Sequence, residues 1–441
     1  MTNKDVAEIN LWGTPIGAVI WDAEKQLGAF EYNPEFTKFP IEPSPITMPN
    51  RSCVYAFPEL SRQTFRGLPG LLSDSLPDKF GNALIDSWLT SKGINKSDFN
   101  PVNRLCYIGA RGMGALEFTP AEETPGQISA SINVAEMVDL ASQILTQKKN
   151  QNYTFKQGSD IHNMEALSDI LHIGTSAGGA RAKAVIAWNE KTNEVRSGQV
   201  ETGEGFGYWL LKFDGVSENS DKELNDPKGF GQIEYAYYLM AKDAGIQMNP
   251  CRLFEENGRS HFMTQRFDRI DGGEKLHMQS LCALGHHDFN QAGLCGYEQA
   301  FEIIRSMCFD SMQVDLEEQF RRMIFNVVSR NQDDHTKNIA FLMDKSGAWK
   351  LSPAFDVCYS YNPEGLWTAT HQMSINGKRD GFEIEDFLAT AEHANLRKAK
   401  AKNIIEEVVE SVLKWETFAE KAGVSDSHTT KIKKAQIPNC F

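Results

Sequence analysis

Three oxygen-bearing side chains in the second half of the chain, Asp333, Asn338 and Asp356, have the types and spacing that phosphoryl transfer uses. That chemistry needs an acceptor near a hydroxyl proton and hard oxygen ligands for Mg2+, an ion that keeps several waters and takes few protein groups. Asp333 and Asn338 occupy the ends of an Asp-x-x-x-x-Asn interval within Asn331-Gln-Asp-Asp-His-Thr-Lys-Asn338, and Ser352-Pro-Ala-Phe-Asp356 supplies a later carboxylate. A kinase catalytic loop has this layout, with a base, a metal ligand and a second metal-binding carboxylate. The adjacent Asp334 is an alternative base, one residue closer to Asn338. Taken alone, an Asp/Asn/Lys cluster between two elements is equally well a solvated turn, so the other parts of such an enzyme must be found elsewhere.

The elements that would position these groups are legible. Phe320, Met323, Ile324, Val327 and Val328 recur at helical spacing and predict a helix feeding the loop. Ile339–Met343 and Ala348–Leu351 predict a hairpin closed by Asp344-Lys-Ser-Gly347. Further upstream, Ile170–Ile173, a glycine-rich loop from Gly174 to Ala182, and Lys183–Trp188 read as strand, loop, strand. Glycines let backbone amides approach phosphate oxygens. The loop is not a Walker A loop, because Ala180-Arg181 replaces the required Lys-Ser/Thr, nor is it G-x-G-x-x-G, and a plain hairpin turn also explains it. In the strand predicted over Gly207–Asp214, Lys212 shares a face with Tyr208 and Leu210, so it must find a partner or reach water. Glu234 opens a predicted helix over Ile233–Ala244, placed for the Lys–Glu pair that kinases use; an exposed helix-start glutamate is the other reading. His261–Asp268 ends a strand at a hinge where backbone groups of Gln265 and Phe267 would meet an adenine edge.

Beyond the hinge, helices are predicted over Gln299–Met307, Asp315–Val328, Ile384–Ala391 and Ala399–Lys414. A β-rich first part and a helix-rich second part predict an α+β, two-lobed protein-kinase-like fold. Its parts are an N-terminal β-rich module at 1–125, an N-lobe at 126–267 and a helical C-lobe at 268–441. In the first module, Ile9–Trp12, Gly17–Trp21 and Gly28–Tyr32 predict a small antiparallel sheet. Pro77, with Asp74 or Ser75 before it, predicts the start of a helix over Lys79–Leu89. Residues 119–132 read as a linker, followed by a helix over Val134–Thr146.

Across all 441 residues the net charge of −14 argues against non-specific nucleic-acid binding, which needs Lys and Arg to neutralise phosphates. No apolar run approaches the length that crosses a bilayer, and the polar N-terminus lacks a signal-peptide core. The eight cysteines form no C-x-x-C pair and read as reduced thiols, so a cytoplasmic enzyme without a membrane segment is expected. His286-His287-Asp288 lacks a spaced third metal ligand and reads as a loop. His371–Lys378 either lines the cleft or forms a strand and turn, and the basic tail His428–Lys434 either contacts a partner or is a solvated end.

With these pieces in order, the sequence resembles the HipA-family serine/threonine kinases, the toxin half of bacterial HipBA-type toxin–antitoxin pairs. The resemblance covers nearly the full length. It rests on Leu68-Pro-Gly70, Asp74-Ser-Leu-Pro77, Arg111-Gly-Met-Gly-Ala-Leu-Glu117, the loop from Ser176 to Lys183, Lys212, Arg266-Phe-Asp-Arg269, and the two segments ending at Asn338 and Asp356. It implies ATP and Mg2+ as cofactors, a catalytic set of Asp333 as base with Lys212, Asn338 and Asp356, and metal binding by Asn338 and Asp356. It implies nucleotide contacts from Gly178, Gly179, Ala180, Arg181, Ala182, Lys183 and Lys212, from Gln265, Arg266 and Phe267 around adenine, and from His335, Lys337 and Phe355. The family's inactivating autophosphorylation site aligns on Ser176, where a phosphate would add nearly two negative charges and eject the loop from the nucleotide site. A small DNA-binding, HipB-like antitoxin is implied as partner, with DNA met only through it, and aminoacyl-tRNA synthetases as the substrate class. Arg181-Ala182 replaces the Gln-Glu pair of the best-known member and Gln265 replaces an acidic residue, departures that bear on regulation and substrate preference. Two other readings of the same fold are a corepressor acting with its antitoxin and a small-molecule kinase.

Overall fold

The alternating runs at the N-terminus build the first of three antiparallel sheets. In the computed structural model, which describes residues 5–121, 133–149, 181–198, 204–216, 228–270 and 273–438, β1 (Val6–Leu11), β2 (Thr14–Asp22), β3 (Leu27–Tyr32), β4 (Val54–Tyr55) and β5 (Leu116–Thr119) lie in the order β4-β3-β2-β1-β5. Period-two alternation buries Ile9, Val19, Trp21, Phe30 and Tyr32 on one face. The helix that follows spans Lys79–Ser91, and its N-cap is Asp78, whose carboxylate accepts from the Gly81 amide at 3.1 Å. Neither Asp74 nor Ser75 opens it. Asp74 instead ends a short helix, Gly70–Ser73, and binds the backbone amide and hydroxyl of Ser280 at 2.7 and 2.8 Å.

The second sheet consists of β6 (Lys183–Asn189), β7 (Glu194–Ser197), β8 (Gly207–Lys212), β9 (Cys251–Glu256) and β10 (Arg259–Gln265), in the order β7-β6-β8-β10-β9. The predicted strand Ile170–Ile173 and the loop positions Ser176, Gly178, Gly179 and Ala180 lie outside the described residues, as do 122–132 of the linker. The third sheet joins β11 (His277–Ser280) to the hairpin of β12 (Ala340–Met343) and β13 (Trp349–Leu351). Around that hairpin stand the helices of the C-lobe. The central one, Met312–Ser329, buries Phe320, Met323, Ile324, Val327 and Val328 completely and packs on Tyr297–Met307 and Lys398–Leu413. It ends where Arg330 turns left-handed at φ 62° and releases the chain into the Asn331–Asn338 loop.

The hydrophobic cores do not divide where the chain divides. One joins the first sheet, Leu71, Leu72 and Leu76 to the C-lobe helices. The other joins Phe80, Leu84, Ile85 and Trp88 of the N-terminal module to Ala184, Ile186, Trp209 and Leu211 of the second sheet. A buried ion cluster ties the module to the hinge as well. Asp268 accepts from Arg266 at 2.9 and 2.7 Å, from Arg269 at 2.6 Å and from the Gly114 amide at 2.8 Å. Arg266, expected at adenine, therefore has its guanidinium committed to a buried carboxylate, a structural role. Burial opposes the Asp268 charge, yet Arg266 and Arg269 offset that and hold its carboxyl well below the usual range of 3.8. Asp268→Asn leaves two buried guanidinium groups without their anion and should cost about 3–5 kcal/mol in urea unfolding at neutral pH. Because the folded value is depressed, the contribution is complete above about pH 4 and is lost as pH falls through the folded value.

Candidate active site

Lys212 ends β8 pointing into protein, only 8% exposed, and meets two carboxylates there. Its Nζ bonds Glu234 Oε1 and Asp356 Oδ1. Burial works against the ammonium, but Asp356 and Glu234 more than offset it and raise its titration above the ordinary lysine value. Glu234 comes from the helix Phe230–Asp243, which starts where it does because Asp214, just past β8, accepts from the Gly229 and Gly231 amides at 3.0 and 3.2 Å. Gly231 is needed there, since a Cβ would collide with the Ser260 carbonyl of β10. Glu234 is buried, not an exposed helix-start residue, and it also takes Arg181 Nη1 at 3.3 Å.

The catalytic-loop candidates come together from separate turns. Asn338 Nδ2 donates to the Asp333 carbonyl at 2.8 Å, and Asn338 and Asp356 line the same cavity. Asp356 sits at φ 53°, a left-handed conformation that aspartate tolerates better than most residues. Burial opposes its charge, but Lys212 and then Lys183 outweigh that and hold its carboxyl well below the usual range. Asp333 behaves in the opposite way. Burial raises its titration, helped by the negative charges of Asp356 and Asp334 and resisted by His335 and by a 2.7 Å hydrogen bond from Trp367 Nε1.

Geometry separates Asp333 from its neighbour. Asp334 is buried and accepts from Tyr297 Oη at 2.8 Å, His371 Nδ1 at 2.9 Å and the Gln372 amide at 2.7 Å. Its acceptor capacity is spent on scaffolding, so the alternative of Asp334 as base is set aside. His371 and Gln372 are thereby second-line supports of the loop.

Lys183 begins β6 and is 2% exposed, its Nζ 3.8 Å from Asp78 Oδ2. Ala182 is buried beside it. Lys337 lies over the Phe289 ring at 5.2 Å, and His335 packs on Phe289 and stands 3.8 Å from Asp333 Oδ1. The Phe267 and Phe355 rings face each other at 5.5 Å across the hinge. At Gln265 the amide donates to Pro250 O at 2.9 Å and the carbonyl accepts from Asn249 at 3.2 Å, so its backbone is engaged within the protein and not aimed at a ligand. Among the described residues no backbone hydrogen bond takes the Phe267 peptide groups. His286 Nε2 accepts from the Gly70 amide at 3.1 Å and packs against Phe57 and Phe65, a joint between modules.

Trp367, Asp78 and Arg181's tie to Glu234 escaped the sequence reading or had no pattern to reveal them, since each contact joins residues far apart along the chain. The contrast between Asp333 and Asp334 yields a direct check. Asp334→Asn breaks a fully satisfied buried acceptor and should cost about 3 kcal/mol in urea unfolding, whereas Asp333→Asn should cost less than about 1 kcal/mol.

Residues 7–119 match the HipA N-terminal domain family and residues 175–416 the HipA-like C-terminal domain family. The structure superposes on a chain of the solved Shewanella oneidensis complex of the toxin–antitoxin system HipA, HipB and its operator DNA. The TM-score is 0.64 at 16% identity, covering 97% of this chain and 96% of that one. A lesser likeness, TM-score 0.31 and 12% identity over 51% of this chain and 92% of the other, relates it to the Helicobacter pylori proinflammatory kinase CtkA. A candidate kinase of Sinorhizobium fredii, Y4mE, is 27% identical over 137 residues, a match that spans 29% of this chain and 32% of that protein's length. The fold is the two-lobed, kinase-like one of HipA, and with both domain matches in chain order the protein belongs to the HipA family.

Proposed function

We propose that the chain is an ATP- and Mg2+-dependent protein serine/threonine kinase of HipA type. The observation that carries this reading is Lys212 bridging Glu234 and Asp356, within a site that also holds Asp333 and Asn338. A carboxylate and an amide side chain lining one cavity fit the hard-oxygen, few-ligand demand of magnesium. Asn338 and Asp356 would hold the ion, which supplies charge neutralisation on the phosphates when bound. Lys212 and Lys183 would face the phosphates, and the Phe267 backbone the adenine. Asp333, its proton affinity raised, receives the proton of the acceptor hydroxyl while Trp367 orients the carboxylate.

The toxin role, a translation component such as an aminoacyl-tRNA synthetase as substrate, and self-modification at Ser176 are drawn from the family. The same holds for a HipB-like antitoxin as partner, which the solved HipA–HipB–operator assembly supports by analogy. A net charge of −14 leaves phosphate contacts with DNA to that partner. Among the described residues no helix is long and apolar enough to cross a membrane, and the cytoplasm is the proposed location.

Incubation with γ-labelled ATP and magnesium should label a protein in a lysate fraction. Asp333→Asn should cut the rate by about a thousandfold while equilibrium ATP binding survives, and chelation of the metal should stop the reaction. Undiminished labelling by Asp333→Asn would overturn the assignment, and label found only in small metabolites would move the substrate class.

A further inference from the structure

The Asp74–Asp78 segment passes from one hydrophobic core to the other. Leu76 packs in the core shared with the C-lobe, while Phe80, just beyond, packs beneath the second sheet. Its two ends are fixed to opposite lobes. Asp74 holds Ser280, where β11 gives way to a C-lobe helix, and Asp78 reaches Lys183, the first residue of β6. The Asp78 carboxylate has divided duties: Oδ1 caps the helix Lys79–Ser91, while Oδ2 is buried, makes no hydrogen bond and faces the lysine. The charge of Lys337, from the Asn331–Asn338 loop, also favours its ionised form.

Resting on the kinase reading above, we propose that Asp78 is a positioning residue for nucleotide phosphates, supplied by the N-terminal module and acting through Lys183. A lysine this deeply buried tends to shed its proton and would then offer no charge to a phosphate. A carboxylate opposite keeps the ammonium charged and aimed along β6, and the Asp74–Ser280 bonds fix where that carboxylate stands relative to the C-lobe. The titration directions agree with this picture: burial lowers Lys183 and the Asp78 charge resists, while burial raises Asp78 to about 6 against the pull of Lys183. Asp78 thereby makes the first module part of the nucleotide site.

The test uses the full chain and equilibrium titration with ATP and magnesium, so that it does not depend on phosphotransfer. Asp78→Asn and Asp78→Ser both keep a good helix cap while deleting the charge, which separates the cap from the lysine contact. Each should weaken ATP binding about tenfold, and Asp78→Glu should restore it to within about threefold. In a Lys183→Gln background the Asp78→Asn loss should vanish, since the pair no longer exists to be broken. Wild-type affinity in both the Asn and Ser variants, a gain in affinity, or the same loss with Lys183 absent would each overturn the proposal. Should one of the two variants fail to fold, the other decides. Wild-type protein that binds no ATP would instead refute the kinase reading on which the inference rests.

Discussion

An ammonium group at the end of an apolar strand governs this structure. Removing Lys212 from water costs several kcal/mol unless opposite charge is brought to it, and no residue of its own sheet provides that charge. Glu234 comes from the helix after β8 and Asp356 from the turn after the C-lobe hairpin, so both lobes converge on one nitrogen. Asp356 does so at a positive φ, a conformation that persists where surrounding contacts over-determine it. The lysine thus sets the relation between sheet, helix and catalytic loop at once.

The helix that carries Glu234 is in turn held by the other lobe. Tyr237 Oη donates to the Ser329 carbonyl at 2.5 Å, at the last residue of the central C-lobe helix. Ser411 donates to the Met240 carbonyl at 2.9 Å, and the Tyr237 ring lies 5.4 Å from that of Trp415. Swinging this helix as a rigid body would break all three contacts. The carboxylate facing Lys212 and the start of the Asn331–Asn338 loop are therefore parts of one unit, with Tyr237 the direct tie between them.

What the sequence reveals of this follows from range. Helices with a repeating apolar face, the hairpin after Asn338 and the strand carrying Lys212 are set by neighbours a few residues away, and their bounds shift by only a few residues. Glu234 was legible because a buried lysine demands an anion. Spacing favours Asp333 over Asp334 without closing the choice, because what separates them is Tyr297, His371 and the Gln372 amide, which fold onto Asp334 from elsewhere. The helix start at Lys79 is legible as well, but its cap, Asp78, is not, for a related reason. Asp74 is a good capping residue by type, but its acceptors are used across the lobe boundary at Ser280.

The two adjacent aspartates also show how one loop can hold a reactive group still. A carboxylate satisfied on every side, like Asp334, is a firm anchor. A half-buried one near other anions, like Asp333, binds a proton more tightly, and the Trp367 indole fixes its rotation. Position 334 is anchored to the Tyr297 helix and passes its rigidity through a single peptide bond to position 333, whose carboxylate the Trp367 indole then holds. Although the chain carries a net charge of −14, its buried carboxylates draw cations together: Arg181 and Lys212 meet at Glu234, and Lys183 stands at Asp78.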